Sequence, residues 1–219
     1  MATEGIREGP YCRAAESALN VMAETTLFFT SENLRLEGVL ERVSDTKGVV
    51  ITHPHPLYGG DMDNPVVLAL RNAYRRKGFN TLRFNFRGVG GSDGRHDQGI
   101  GERRDVQAAR ACLAGMGMTG IDLAGYSFGA WVNAGVSEGF QRMVMVSPPL
   151  AFIDFGPPAP IANLGLIVTG SRDEIAPPAM IDRCRAGWNP AAAFELIAGA
   201  DHFYSGFLKT LEDTITAHI

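Results

Sequence analysis

Along this chain the pattern of apolar and polar positions changes character twice. Residues 1–21 are polar and glycine-containing, with at most a short helix over 13–21, and are expected to form a tail ahead of a single domain over 22–219. Two strand-like segments follow, 25–30 and 34–43. The second places Leu34, Leu36, Gly38 and Leu40 on one side, which predicts an antiparallel hairpin. Beyond Asp45 the rhythm becomes short apolar run, glycine-rich turn, helical stretch. It predicts strands over 48–52, 81–86, 121–124, 143–146, 166–169 and 194–197, and helices over 65–77, 102–113, 130–136, 178–186 and 207–217. Short apolar strands alternating with helices predict an α/β fold, a mostly parallel sheet of about eight strands with helices on both faces. In such sheets ligands bind beyond the carboxyl ends of the strands. That rule selects five loops: 53–64, 87–97, 125–129, 170–177 and 199–205.

A nucleophilic serine needs its oxygen held out on a strained turn, with small neighbours two residues to either side so that strand and helix can approach. The pattern G-x-S-x-G occurs twice, as Gly90-Gly91-Ser92-Asp93-Gly94 and as Gly125-Tyr126-Ser127-Phe128-Gly129. In a chain with 26 glycines the pattern alone is weak, and context separates the two. Ser127 follows an apolar strand and precedes the helix-like run Ala130-Trp131-Val132-Asn133-Ala134, whereas Ser92 stands six residues past its strand with no helix directly behind it. Ser127 is the candidate nucleophile, its bland alternative being a helix N-cap. The N–H of Phe128, at the start of that helix, would face a developing oxyanion.

Such a serine needs a base within hydrogen-bond reach and an acid to fix the base's tautomer. After Ser127 the only histidines are His202, five residues past the last strand, and His218 near the C-terminus. His202 is selected by position. The strand ending at Thr169 runs into Gly170-Ser171-Arg172-Asp173-Glu174-Ile175-Ala176-Pro177, which offers Asp173 or Glu174 as acid. Asp173, four residues past the strand with a proline turn behind it, fits better.

With the chain order Ser127, Asp173, His202, the sequence resembles the alpha/beta-hydrolase superfamily from about residue 25 onward. The stretches His53-Pro54-His55-Pro56-Leu57-Tyr58-Gly59-Gly60 and Phe86-Arg87-Gly88-Val89-Gly90-Gly91-Ser92-Asp93-Gly94 look like a compact subgroup related to dienelactone hydrolases and to the catalytic domain of Xaa-Pro dipeptidyl-peptidases. Serine stands here where dienelactone hydrolases carry cysteine. The resemblance implies a catalytic triad of Ser127, Asp173 and His202. It also implies a second oxyanion donor in the loop after the third strand, where Pro56 has no N–H and Leu57 would have to donate. Tyr58 would then add its hydroxyl or form an acyl-pocket wall with Phe203; Phe152, Phe155 and Tyr204 are further wall candidates. Cap domains of this fold enter after the strand over 143–146, but the connection over 147–165 is proline-rich without helical period, so no cap is expected.

The crowding of His53, His55, Asp61 and Asp63 invites a metal reading. Paired histidines after a strand open the metal site of amidohydrolases, yet that site belongs to a barrel of typically about 250 residues with further histidines on later strands. Only His96, His202 and His218 remain, and the H-x-H-x-D-H pattern fails at Leu57 and Tyr58. His53 and His55 then read as loop organisers bonding backbone, with Asp63-Asn64-Pro65 capping the next helix. No cofactor is expected: G-x-G-x-x-G fails at Asp93, and no G-x-x-x-x-G-K-[ST] exists.

Composition narrows the setting. Apolar residues at 45% and charged residues at 20% are ordinary for a globular protein, and a formal net charge of −4 argues against a nucleic-acid surface. Three separated cysteines, Cys12, Cys112 and Cys184, give neither disulfide framework nor zinc spacing, and no apolar run reaches membrane-span length. The expectation is a cytoplasmic serine hydrolase acting on a small-molecule acyl substrate, with no nucleic-acid or membrane partner and an open oligomeric state that includes a homodimer. Carboxylic esters are the favoured class. The alternatives are a thioesterase, peptidase or acyltransferase on the same residues, or a non-catalytic binding protein on the same fold.

Overall fold

A computed structural model describes residues 24–157 and 159–219. The expected tail over 1–21, with its short helix and the boundary at Met22, lies outside the described residues.

The strands are β1 (Glu24–Ser31), β2 (Leu34–Glu41), β3 (Lys47–Thr52), β4 (Asn80–Phe84), β5 (Gly120–Tyr126), β6 (Met143–Val146), β7 (Leu164–Gly170) and β8 (Ala193–Ile197). The helices are α1 (Pro65–Arg76), α2 (Ile100–Gly115), α3 (Phe128–Ala134), α4 (Pro178–Trp188) and α5 (Leu208–His218). All eight strands form one sheet in the order β1-β2-β4-β3-β5-β6-β7-β8. The β1–β2 hairpin is antiparallel and joins β4 antiparallel, and from β4 to β8 every pairing is parallel.

Side-chain alternation along the central strands sends residues to two cores. Val49 and Ile51 of β3 pack with α1 and α5 on one face, while Val50 joins α2, α3 and α4 on the other. Both faces being covered explains why these strands read as continuous apolar runs rather than as alternation. No described helix is long and apolar enough to cross a membrane. The connection between β6 and β7 contains no helix or strand among its described residues, so it builds no helical cap over the carboxyl ends of the strands.

One fixture of this frame is a buried ion pair behind the loop that follows β4. The Arg87 guanidinium makes a forked contact with Asp105 of α2, Nε to Oδ2 at 3.0 Å and Nη2 to Oδ1 at 2.8 Å, and the Arg87 N–H also donates to Oδ2. The fork raises the Arg87 pKa above its ordinary value. Asp105→Ala would leave a buried guanidinium with only the longer contacts to Glu32 at 3.3 Å and Asp97 at 4.0 Å. Stability is expected to fall by about 3–5 kcal/mol, read as a lower urea midpoint at unchanged slope.

Candidate active site

The turn after β5 holds Ser127 at φ +53° and ψ −119°, a left-handed conformation that a residue with a Cβ adopts at a cost. Its flanking glycines make the turn buildable. A Cβ at Gly125 would come 2.6 Å from Thr52 Oγ1 and 2.7 Å from the Ala130 nitrogen, and one at Gly129 would come 2.7 Å from the backbone carbonyl of Thr52. Strand β3 and helix α3 can therefore close on the turn only if both positions lack a side chain. The Ser127 N–H is tied to the Val146 carbonyl of β6 at 2.9 Å, which fixes the turn to the sheet.

From that position the Ser127 Oγ lies 3.0 Å from His202 Nε2, and His202 Nδ1 lies 2.9 Å and 3.0 Å from the two oxygens of Asp173. Because a carboxylate only accepts, Nδ1 carries the proton and donates to Asp173; Nε2 is left to accept from the Ser127 hydroxyl. Burial alone would push the Asp173 carboxyl upward. The bond from His202, the His202 charge and the Ala176 N–H outweigh it and hold Asp173 below the ordinary carboxylate value. The neighbouring alternative, Glu174, is exposed.

Side chains with no recognisable pattern in the sequence hold the base in place. The Tyr126 hydroxyl donates to the His202 carbonyl at 2.9 Å, and its ring lies 5.3 Å from the imidazole. Tyr204 sits at φ +56°, fully buried, its hydroxyl 2.7 Å from Ser147 Oγ. Tyr204 is therefore not a substrate wall but a strut under the His202 loop. Phe155 also turns inward, packing on Trp188 at 5.3 Å, because the β6–β7 connection folds back over the core. A hydroxyl directly after a strand end, as Ser147 is after β6, was the only available sequence signal for this group.

Ser92 has a different surrounding. Its hydroxyl donates to the Asn85 carbonyl and accepts the Glu37 N–H, so both its capacities are spent on pinning the glycine loop to β2.

The histidine-rich loop after β3 is organised by the bonds its side chains make. His53 is fully buried; Nδ1 donates to the Pro54 carbonyl at 2.7 Å and Nε2 accepts the Phe86 N–H at 3.0 Å, leaving no ring nitrogen free. Asp63 accepts from Arg83, Asp61 accepts the Asp63 N–H, and Asn64 caps α1 through the Val66 N–H. Among the described residues no three His, Cys, Asp or Glu side chains converge to hold a metal ion. His55 Nδ1 accepts the N–H of Leu57 at 3.2 Å, and its ring packs 4.7 Å from Phe128 and 4.9 Å from His96. His96 in turn contacts the buried Glu102 at 2.8 Å. Burial first, and the His96 charge second, lower the His55 pKa against the pull of Glu102, which keeps the ring neutral and able to accept.

That bond bears on the oxyanion expectation. Phe128 opens α3, so its N–H belongs to the first-turn groups that no helical carbonyl reaches. The Leu57 N–H, in contrast, is occupied by His55, and to serve an oxyanion it has to exchange that partner. Leu57, Tyr58 and Phe203 are all exposed, Tyr58 at 85% and Phe203 at 65%, with the Tyr58 ring 4.8 Å from His55 and the Phe203 ring edge-on to His202.

Burial of His53 carries a stability consequence. Desolvation pulls its pKa from 6.5 down to about 4, so between those values the unfolded chain binds a proton that the folded chain refuses. Stability therefore falls as pH is lowered through that window, by up to about 3 kcal/mol from this group. Asp122, held up to about 6 by burial, works in the opposite direction over part of the same range. The difference between wild type and His53→Gln in urea unfolding, followed from pH 7 to pH 4, isolates the histidine: the variant's decline is expected to be shallower.

No family model matches the sequence. An uncharacterised protein of Rickettsia prowazekii (strain Madrid E) is 33% identical over 209 residues, covering 85% of this chain and 87% of its own length. A solved structure described as an alpha-beta serine hydrolase homologue from Coxiella burnetii is 34% identical with a TM-score of 0.83, covering 91% of this chain and 99% of its own. A serine hydrolase without lid from Xanthomonas campestris is 28% identical with a TM-score of 0.80, covering 89% and 93%.

Proposed function

The chain belongs to the alpha/beta-hydrolase superfamily, and from that premise we propose that it is a serine hydrolase forming an acyl-enzyme on Ser127. The observation that carries the proposal is the unbroken hydrogen-bond chain from Ser127 Oγ through both nitrogens of His202 to Asp173. As Oγ attacks the carbonyl carbon, His202 Nε2 takes its proton and the resulting imidazolium is stabilised by the Asp173 carboxylate. Oxyanion charge is met by the Phe128 N–H and, once released from His55, by the Leu57 N–H, donors typically worth about 3 kcal/mol each. His202 then gives its proton to the leaving alcohol. Water attacks the acyl-enzyme with His202 acting as base again.

The substrate class is a carboxylic ester of a small acid. Amide cleavage requires protonation of a poorer leaving group and is usually supported by extended peptide binding, and the uncapped β6–β7 connection offers no surface for that. Tyr58 and Phe203 form the apolar rim against which the acyl or alcohol part packs. Treatment with a fluorophosphonate probe is expected to label the peptide containing Ser127 and no other serine peptide. A p-nitrophenyl ester series from acetate to octanoate then reads the preferred acyl length. A protein that takes no label and hydrolyses none of the series would instead be a binding protein on a hydrolase fold.

A further inference from the structure

On the face of the sheet covered by α2, α3 and α4 lies a cavity of about 140 Å³, whose lining residue Trp131 packs 5.6 Å from Phe128. It is lined by Arg103, Trp131, Phe155, Pro157, Ile161 and Trp188, and includes none of Ser127, Asp173 or His202. It opens to solvent beside the exposed Pro157. Trp131 and Trp188 are the only tryptophans in the chain. Both therefore face this one space.

Arg103 is the cavity's cation. The buried Arg87 and Arg83 are forked onto carboxylates, Arg87 onto Asp105 and Arg83 onto Glu24 and Asp63, whereas the half-buried Arg103, like Arg110, has no carboxylate partner among the described residues. Arg103 makes no ion pair among the described residues, its Nε is buried without a hydrogen-bond partner, and none of the residues lining the cavity is acidic. Its guanidinium lies 5.4 Å from the Trp131 ring and crosses Gly135, where a Cβ would come 2.1 Å from Nε. Its Nε is left unbonded, and a buried N–H without an acceptor carries a cost.

We infer that this cavity is a binding site for a small aromatic monocarboxylate, its carboxylate on the Arg103 fork and its ring among Trp131, Phe155 and Trp188. A guanidinium edge presents parallel N–H groups that match the two oxygens of a carboxylate, and its planar geometry sets it apart from a lysine. The indole and phenyl faces supply ring contacts. The site shares no residue with the triad of Ser127, Asp173 and His202.

Because both tryptophans line the cavity, their fluorescence reports occupancy directly. Titration of the full chain with 3-phenylpropionate is expected to give a saturable change in emission. Uncharged 3-phenylpropionamide is expected to bind about tenfold more weakly or not at all, since it cannot use the charged fork. Arg103→Gln should remove the preference for acid over amide, and Arg103→Lys should restore part of it through charge without the fork. No saturable change in wild type, equal binding of acid and amide, or an undiminished preference in Arg103→Gln would each overturn the inference.

Discussion

Ser127→Ala is expected to lower kcat for a p-nitrophenyl ester by about 10⁶-fold, some 8 kcal/mol of transition-state stabilisation, and to abolish fluorophosphonate labelling. Removing Oγ takes away the atom that forms the acyl bond and leaves water as the nucleophile that His202 Nε2 can activate. A residual rate above that of uncatalysed hydrolysis should persist, because the Phe128 N–H and the apolar rim remain. KM should change little, since Ser127 is a reacting group rather than a binding surface. The substitution should not unfold the protein. Alanine at φ +53° carries a strain similar to serine's, and the Ser127 N–H keeps its bond to Val146. Ser92→Ala is the matching comparison: it removes a hydroxyl bonded to the Asn85 carbonyl and the Glu37 N–H, so it should cost stability and leave the labelled peptide unchanged. Labelling that survived in Ser127→Ala and disappeared in Ser92→Ala would reverse the two roles.

The contrast between these two serines shows how much of the molecule was legible in advance. Strand and helix positions follow from local pattern, because a parallel sheet covered on both faces turns each strand into a continuous apolar run bounded by glycine or proline. The turn at Ser127 was readable for the same reason: it needs glycine at two fixed offsets, and the structure gives the cause in the close approach of Thr52 and Ala130. What could not be read are partnerships between residues that the fold alone brings near. The fork of Arg87 on Asp105 joins positions 18 apart, and the Tyr126 hydroxyl reaches a carbonyl 76 residues away; no spacing rule encodes either. The Leu57 N–H is a subtler case. Its partner is only two residues distant, yet the bond exists because His96 and Phe128 hold the His55 ring in place, a packing event with contributors from two other loops. The same limit applies to Tyr204 and Phe155, aromatic residues near the right loops that the backbone turns inward.

Asp173→Asn is expected to reduce kcat by about 10⁴-fold, and the hydrogen bonds around the carboxylate say why. Oδ1 accepts the N–H groups of Ile175 at 3.0 Å and Ala176 at 2.7 Å, so an asparagine in this place must keep its carbonyl oxygen on that side. Its NH₂ group is then forced into the position of Oδ2, which lies 2.9 Å from His202 Nδ1. That donor faces Nδ1, and the remaining carbonyl oxygen, 3.0 Å from Nδ1, already accepts two backbone N–H groups, so the arrangement favours the tautomer with Nδ1 as acceptor and the imidazole proton on Nε2. In that tautomer Nε2 faces Ser127 with a hydrogen and cannot take the serine's proton. The fold survives this change, so circular dichroism should be that of wild type while activity is nearly lost. Stability supplies a second reading. The folded pKa of Asp173 lies below its unfolded value near 3.9, so its stabilising contribution is complete above that value and disappears as pH falls through the folded pKa. The wild-type advantage over Asp173→Asn in urea unfolding should therefore be largest near neutral pH and shrink toward pH 3. Activity within tenfold of wild type would move the acid's role elsewhere, with exposed Glu174 as the first residue to test.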